Sequence, residues 1–302
     1  MGLLVVGSVA FDSVKTPFGE VEEVLGGSAT YFSTAASYFT QVSLVGVVGE
    51  DFPEEHLTFL KGRGINIEGL ERSSGRTFRW KGEYSYQLNE AKTLKTELNV
   101  LETFRPVIPA SYRDIPIVFL ANIDPTSQLD VLNQVKKPKL VACDTMNFWI
   151  EGKRDALIKT LAAVDILIIN AGEARELARE VNLVKAAKKV MSYGPNTLVV
   201  KQGEYGALMF NEDKIFSAPA FPLENVFDPT GAGDSFAGGF MGYLATCETV
   251  NDVAIRRAVV YGSTMASFNV EAFSLDRMRS LKQEEITARY QAFKALTTFE
   301  NI

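Results

Sequence analysis

The sequence predicts an α/β fold built around one mostly parallel sheet, and two patterns support this prediction. Short apolar runs typical of buried strands alternate repeatedly with longer segments whose apolar residues recur at helical spacing. The C-terminal third is helical in pattern, and no internal repeat, low-complexity tract or long linker divides the 302 residues. We therefore expect one domain over residues 1–302, with helices covering both faces of the sheet.

The core strands and helices are expected at regular intervals along the chain. The predicted strands are residues 3–7, 42–48, 115–121, 139–143, 165–169 and 197–201. The predicted helices are residues 27–40, 127–135, 153–163, 171–179, 184–193, 232–245, 252–268 and 283–293. Residues 206–221 predict a β-hairpin that turns around Asn211-Glu212-Asp213.

Residues 75–104 interrupt this alternation of strands and helices and predict a small separate sheet. The stretch is rich in aromatic, threonine and charged residues that alternate with period two, with Gly82 as the expected turn. Such alternation is typical of antiparallel strands with one solvated face. Together with residues 10–18, these strands predict a lid that closes over a substrate and excludes water. A homodimer contact through the lid and a plain surface sheet remain alternatives.

Composition excludes several classes of function. The formal net charge of −6 argues against a nucleic-acid backbone or an anionic membrane as the main partner. The two cysteines, Cys143 and Cys247, form no CxxC pair, which argues against thiolate zinc sites and dithiol redox chemistry. No secretory leader is evident and no apolar run is long enough to span a bilayer, so cytoplasmic residence is the expectation.

The single histidine, His56, narrows the choice of catalytic chemistry. His56 lies in the charged stretch Pro53-Glu54-Glu55-His56, which opens a predicted surface helix, and we expect it to be solvated. Hydrolases with a nucleophile–histidine pair and multi-histidine metal enzymes are therefore disfavoured. Catalysis is expected to depend on carboxylates, lysines or backbone dipoles.

The strongest functional signal is the run from Asp228 to Gly239, DPTGAGDSFAGG. Its loop contains Gly231 and Gly233 and leads directly into a helix, where unpaired backbone amides and the helix dipole favour an anion such as phosphate. Asp234 falls in the first turn of that helix. A carboxylate beside a phosphate is electrostatically unfavourable unless it receives a proton, as it would when a hydroxyl attacks a phosphoryl group. A purely structural role as a dipole partner is the alternative.

The same run resembles the second signature of the ribokinase-like, or pfkB, family of sugar and nucleoside kinases, without a gap from Asp228 to Met241. The resemblance implies a three-layer α/β/α core with a small β-sheet lid, and ATP with Mg²⁺ as cofactors. It implies that Gly231, Ala232 and Gly233 form an anion hole and that Asp234 is the catalytic base. It further implies that Asp228 and the Thr230 carbonyl are positions for a monovalent cation such as K⁺, whose requirement stays open.

Two further segments resemble nucleotide-binding motifs of this family. Asn170-Ala171-Gly172-Glu173 resembles its NxxE motif, which implies that Asn170 contacts nucleotide and that Glu173 organises Mg²⁺ through water. The segment from Lys201 through Gly203 to Gly206 resembles its TxGxxG loop, with lysine in the threonine position. Lys201 is therefore either a phosphate or ribose contact or an exposed strand end.

The N-terminal part resembles the family's acceptor site. In the family, positions like Asp12 and the adjacent glycines bind substrate hydroxyls, and a carboxylate can accept two hydroxyl hydrogens. The first signature departs from the family pattern because Tyr31 stands where an asparagine is usual. The predicted acceptor contacts are Asp12, Gly26, Gly27, Ser28, Tyr31 and Asn147.

Taken together, the residues and the resemblance predict ATP-dependent phosphorylation of a hydroxymethyl group on a small sugar. A nucleoside kinase of the same fold is the first alternative, with Tyr31 stacking on a base. A ligand-binding relative that has lost turnover is the second alternative. A screen of sugars and nucleosides for ADP release would separate these three hypotheses.

Overall fold

The computed structural model describes residues 1–212 and 214–298, and a nine-stranded sheet forms its centre. The order across this sheet is β13-β12-β11-β10-β9-β8-β1-β4-β5. All neighbouring pairs are parallel except β11–β12 and β12–β13. The core strands are β1 (Leu3–Val6), β4 (Val42–Val48), β5 (Asn66–Arg72), β8 (Ile117–Leu120), β9 (Leu140–Cys143), β10 (Ile166–Asn170), β11 (Thr197–Lys201), β12 (Ala207–Asn211) and β13 (Lys214–Ala218).

Helices cover both faces of this sheet, as predicted. Successive residues of β1 point to opposite faces, so Leu3 and Val5 join one apolar core while Leu4 and Val6 join the other. The helices on the first face are α1 (Ser28–Ala36), α2 (Glu54–Gly62), α8 (Ala232–Thr246), α9 (Asp252–Asn269), α10 (Asp276–Ser280) and α11 (Gln283–Thr297). Those on the second face are α3 (Pro125–Leu132), α4 (Asn147–Gly152), α5 (Arg154–Leu161), α6 (Ala171–Ala178) and α7 (Leu183–Met191).

A second sheet of four strands forms the lid region. Its order is β3-β2-β6-β7, made of β2 (Ala10–Thr16), β3 (Gly19–Gly26), β6 (Phe78–Tyr84) and β7 (Ala91–Glu97). The sheet is mixed, because β2 pairs with β6 in parallel while the two outer pairs are antiparallel. The side chains of the outer strand β7 are mostly exposed, and those of β3 are exposed at about half of its positions. The dimer contact through the lid stays a prediction.

The antiparallel pairing predicted for residues 75–104 is confirmed by β6 and β7, but two details of the lid prediction are wrong. The lid includes β3, which lies beyond the predicted range of residues 10–18. Gly82 lies inside β6 rather than at a turn, beside a register shift between Lys81 and Gly82. A Cβ at Gly82 would lie 2.1 Å from Cη2 of Trp80, so glycine is required there for the indole ring to lie against the strand.

The bounds of the predicted core elements agree with the observed ones within a few residues, and three core elements were not predicted. Edge strand β5 and the short helices α4 and α10 were not predicted, because none carries a long periodic run. The predicted hairpin is present as β12 and β13, although Asp213 of its turn lies outside the described residues.

The surroundings of His56 also differ from the prediction. His56 is half-buried rather than solvated, with its ring centroid 6.0 Å from that of Phe11 and 5.4 Å from that of Phe52. Burial lowers the pKa of His56 below its ordinary value. Within the described residues, no helix has the length and apolarity needed to cross a membrane.

Candidate active site

Three neighbouring strands deliver polar side chains to one edge of the core sheet. Asp144 follows β9, Asn170 ends β10 and Lys201 ends β11, where it is in register with Asn170. These strands are parallel, so their carboxyl ends meet at the same edge, which is the usual place for ligands in such sheets. The Nζ atom of Lys201 lies 3.6 Å from Oδ2 of Asp144, and both side chains are largely buried.

The glycine-rich turn before α8 faces this edge. Gly231 caps the helix in a left-handed conformation, with φ of 74°. The Ser235 amide donates to the Gly231 carbonyl at 2.8 Å, which starts the regular hydrogen bonding of the helix. The amides of Gly233 and Asp234 come before this bond and have no acceptor within the helix. All four residues from Gly231 to Asp234 keep part of their surface exposed, and the turn is therefore open to a ligand.

Asp234 lies among groups that disfavour its charge. Burial, followed by repulsion from Asp144, raises the pKa of Asp234 from 3.8 to about 7, while Lys201 acts in the opposite direction. A carboxyl group with a pKa near neutrality can both exist as a base at physiological pH and accept a proton readily. The position and acidity of Asp234 therefore suit general-base chemistry.

Asn170 and Glu173 begin α6 with a reciprocal capping box. The Glu173 amide donates to Oδ1 of Asn170 at 2.8 Å, and the Asn170 amide donates to Oε2 of Glu173 at 2.8 Å. Burial, together with repulsion from Asp144, raises the pKa of Glu173 to about 7. Lys201 and the Asn170 amide act in the opposite direction. A carboxyl group at this edge is compatible with a divalent cation bound through water.

The segment before the glycine-rich turn, which contains Asp228 and Thr230, is held by hydrogen bonds to other protein groups. Asp228 accepts from the amides of Thr230 and Ser274, at 2.9 and 3.2 Å. The Thr230 carbonyl accepts from Nδ2 of Asn269 at 2.8 Å, and Oδ1 of Asn269 in turn accepts from Ser235 at 2.9 Å. Asp228 and the Thr230 carbonyl are thus already partnered by protein donors, and a monovalent cation there stays a prediction.

Asp12 lies on the lid strand β2 and reaches toward the start of α1. A Cβ at Gly26 would lie 2.0 Å from Oδ2 of Asp12, so the carboxylate fills the space beside this glycine. Burial raises the pKa of Asp12 to about 7, and the Gly27 amide opposes this rise by donating a hydrogen bond. Negative charge on Asp228 and Asp234 raises it further, so Asp12 lies within electrostatic reach of the predicted base.

Comparison with known proteins identifies the family. The profile of the pfkB family of carbohydrate kinases matches residues 3–280. A cytidine kinase of Thermococcus kodakarensis is 30% identical over 247 residues, which cover 80% of this chain and 87% of that protein. The chain belongs to the pfkB family of carbohydrate kinases.

Solved structures agree with this assignment at the level of the fold. The nucleoside kinase of Methanocaldococcus jannaschii superposes with a TM-score of 0.76 at 20% identity, over 96% of this chain and 98% of that one. The aminoimidazole riboside kinase of Salmonella enterica, solved with aminoimidazole riboside and an ATP analogue, gives a TM-score of 0.76 at 15% identity, over 96% and 100% of the two chains. The protein is an ATP-dependent kinase with a ribokinase-like fold.

Two of the predicted acceptor residues of the kinase, Tyr31 and Ser28, already contact other protein groups, while a third, Asn147, is exposed. Tyr31 is 1% exposed, and a Cβ at Gly231 would lie 2.3 Å from its ring, so in this conformation the ring offers no free face to a base. The Ser28 hydroxyl lies 3.0 Å from that of Ser8 and ties α1 to the end of β1. Asn147 is exposed at the first residue of α4.

The loop from Gly203 to Gly206, predicted to bind nucleotide, contacts the lid. Asn89, in the segment between β6 and β7, donates from Nδ2 to Oε1 of Glu204 at 3.1 Å and accepts from the Glu204 amide at 3.3 Å. A Cβ at Gly203 would lie 2.0 Å from Oδ1 of Asn89. Gly203 therefore allows the lid to approach this loop, and Gly206 ends the loop with a φ of 94°.

Sequence reasoning missed two residues of the lid that face the site. Trp80 is in register with Asp12 on the parallel strands β2 and β6, so both side chains lie on the same face of the lid. Tyr84 lies on this face too, and its hydroxyl is 3.4 Å from that of Thr230. The signal for both residues was the period-two alternation of the 75–104 segment, but the strand pairing that decides their orientation was not visible in the sequence.

The opposite face of the lid borders a separate cavity of about 520 Å³. Phe11 and Arg79 line it, and the Arg79 guanidinium carbon lies 5.1 Å from the centre of the Phe11 ring. Because these residues alternate with Asp12 and Trp80 along their strands, the cavity lies behind the lid. It is therefore distinct from the space that Asp12 and Asp234 share.

Proposed function

We propose that this kinase transfers the γ-phosphoryl group of ATP to a primary hydroxyl of a nucleoside. Asp234 supports the reaction type, because it is a carboxyl group with a pKa of about 7 at the open start of a helix. The named relatives support the nucleoside rather than the small sugar that the sequence alone favours. Family membership also favours a working kinase over a relative that has lost turnover.

The arrangement supports in-line transfer. Asp12 would hold hydroxyls of the ribose and direct its primary hydroxyl toward Asp234, which takes the proton as the new oxygen–phosphorus bond forms. The amides of Gly233 and Asp234 would stabilise the phosphoryl oxygens. The bond between the γ-phosphorus and its bridging oxygen breaks, and ADP leaves with the electron pair.

The residues at the sheet edge suit the cations proposed for the reaction. Mg²⁺ would neutralise phosphate charge when bound with ATP, and Glu173 is the residue placed to hold it through water. Among the described residues no group of three or more His, Cys, Asp or Glu side chains is arranged to hold a metal by itself, in keeping with a cation held largely by phosphate and water. Asp228 and Thr230 remain the proposed positions for K⁺.

Trp80 is the observation that carries the nucleoside class. Its benzo ring lies against Gly82, where a Cβ would approach Cη2 to 2.1 Å and Cζ2 to 2.4 Å, and its Nε1 donates to Thr93 at 3.2 Å. One face of the indole is thus pressed against β6, and the other faces away from the sheet on the side of the lid that carries Asp12. An immobilised aromatic surface on the same face of the lid as the carboxylate proposed to bind ribose suits a nucleobase, since stacking on an aromatic side chain contributes about 1–3 kcal/mol.

The first test is an ADP-release assay over cytidine, adenosine, inosine, ribose, fructose and 2-keto-3-deoxygluconate. We expect kcat/KM for at least one nucleoside to exceed that for every free sugar by about 10-fold or more, because only the nucleoside gains the stacking energy. Higher kcat/KM for a free sugar than for all nucleosides would contradict the proposal.

The second test replaces Trp80. Trp80→Ala should raise KM for the preferred nucleoside by about 10-fold, from the lost stacking, with a smaller rise for Trp80→Phe, and leave KM for ATP unchanged. Leu94→Ala, on the neighbouring strand β7 with 46% of its surface exposed, is the control and should behave as wild type. An unchanged KM for the nucleoside in Trp80→Ala would show that the base does not stack at this position.

A further inference from the structure

Lys201 occupies an unusual place for a lysine. It ends β11, and its side chain extends past β10 toward Asp144 at the end of β9, with 17% of the lysine side chain and 7% of the aspartate side chain exposed. Lysine is seldom buried to this degree unless it is paired. The ammonium group is therefore held at the centre of the sheet edge rather than free at its surface.

The ammonium group also touches the glycine-rich turn. A Cβ at Gly233 would lie 2.8 Å from Nζ of Lys201, so the lysine occupies the space that any side chain at Gly233 would need. The amides of this turn form the proposed anion hole. A permanent positive charge consequently lies at the same place as the backbone donors that would receive phosphate.

Negative side chains converge on this cation from several elements. Asp144 faces it from β9, Glu173 from α6 and Asp234 from α8. Burial opposes the charge on Lys201, yet these carboxylates together hold the pKa of its ammonium above the ordinary value. Lys201 is also the one cation of the described residues that offsets the burial and repulsion acting on Asp234.

The remaining titratable groups near Asp234 lie toward the lid. They are Asp12 on β2, Asp228 before α8, Tyr31 on α1 and Tyr84 on β6. None of these groups is cationic. A phosphoryl group entering this space would add negative charge to a region in which, among the described residues, Lys201 supplies the positive charge.

We propose that Lys201 is a catalytic residue that contacts the γ-phosphoryl group during transfer, and that Asp144 positions it. This proposal rests on the proposed kinase reaction and adds Lys201 to the residues that take part in it. Lys201 stays an ammonium throughout, donating to a non-bridging oxygen of phosphorus, while the acceptor proton goes to Asp234 and the electron pair leaves with ADP. A lysine suits this role because its flexible stem carries a compact charge that can move between partners.

Asp144 acts through Lys201 rather than on the nucleotide. At 3.6 Å the pair is longer than a tight charge-assisted hydrogen bond, which leaves the ammonium able to turn toward phosphate. Removing the Asp144 carboxylate would leave Lys201 in place, but its ammonium group would be less firmly positioned beside the glycine-rich turn. We therefore expect Asp144→Asn to be milder than the loss of the lysine itself.

Nucleotide binding tests the contact without any acceptor. Titration calorimetry should show that Lys201→Met weakens binding of a non-hydrolysable ATP analogue by about 10-fold or more while changing ADP affinity by less than about 3-fold, because only the former carries a γ-phosphoryl group. Lys214→Met, at an exposed lysine on β13, is the matched control and should bind both ligands normally. Equal weakening of both ligands, or no weakening, would overturn the assignment of the γ-phosphoryl contact.

Turnover and its pH dependence provide the second readout. Lys201→Met should lower kcat by about 10²-fold or more, Lys201→Arg less, and Asp144→Asn by about 10-fold. The acid limb of the pH–rate profile should move to higher pH in Lys201→Met, since a cation near Asp234 is lost, and to lower pH in Asp144→Asn, since an anion is lost. Shifts in the same direction, or normal turnover in Lys201→Met, would overturn the proposal. If wild type phosphorylates no acceptor while the analogue titration behaves as expected, the proposed function fails and the phosphate contact stands.

Discussion

Asp234 carries a charge that its immediate surroundings do not favour. Burial and Asp144 raise its pKa, while Lys201 and the helix start at Gly231 act to keep it ionised. The balance leaves the group half-ionised near neutrality, where a base is most useful. The pKa of Asp234 thus depends on neighbours that are distant in the sequence.

Replacing this one group tests the base directly. Asp234→Asn should fold normally and bind ATP nearly as well as wild type, but lower kcat by at least about 10²-fold, since the amide cannot accept the proton. Single-turnover kinetics and nucleotide titration are the measurements. Asp130→Asn, at an exposed aspartate on α3, is the control and should retain full turnover. Near-normal turnover in Asp234→Asn would remove Asp234 from the base role.

At the scale of single residues, some assignments needed only the sequence and others did not. The run from Gly231 to Asp234 defines a helix start and its anion site locally, so its geometry could be predicted. Asp144 directly follows β9 at the carboxyl edge of the sheet, whereas a contact is predicted from the sequence only for Asn147, three residues further on. Only the structure shows that Asp144 pairs with Lys201 and that Asn147 is exposed.

Among the elements, the lid contacts two of the segments that are proposed to form the site. Tyr84 at the end of β6 reaches Thr230 before the glycine-rich turn, and Asn89 beyond it reaches Glu204 in the loop from Gly203 to Gly206. The two contacts join a separate sheet to both halves of the site. Lid closure and nucleotide binding are therefore expected to stabilise each other.

The Asn89 contact provides a prediction for this element. Asn89→Ala removes two hydrogen bonds to Glu204, each contributing about 0.5–1.5 kcal/mol, so we expect KM for ATP to rise about 3- to 10-fold with little change in kcat. Steady-state kinetics at saturating nucleoside provides the measurement. Gln87→Ala, at an exposed residue of the same segment, should leave KM unaltered. A fall in kcat with constant KM would instead place Asn89 in the chemical step.

For the molecule as a whole, the clustered carboxylates couple stability to pH. Burial raises the pKa of Asp12 from 3.8 to about 7, so between these values the folded state holds a proton that the unfolded state releases. The contribution of Asp12 is therefore most favourable below pH 4 and is lost as pH rises toward 7. Asp234 and Glu173 behave in the same way.

Asp12→Asn should reveal this coupling. Relative to wild type, the variant should gain about 1–3 kcal/mol of unfolding free energy between pH 4 and pH 8, because the amide never has to lose a proton inside the fold. Urea denaturation at both pH values measures the difference. Asp130→Asn should show no such pH-dependent gain, and a constant difference for Asp12→Asn would contradict the pKa assigned to Asp12.

The sequence by itself determined the mostly parallel sheet with helices on both faces and the glycine-rich helix start, because apolar periodicity and a glycine-rich turn are properties of neighbouring residues. The tertiary structure alone decided which side chains meet across the site. The pairing of Lys201 with Asp144 depends on strand order, and the placing of Trp80 beside Asp12 depends on the parallel register of β2 and β6. Such contacts join residues from distant segments, and a local pattern carries no information about which strands become neighbours.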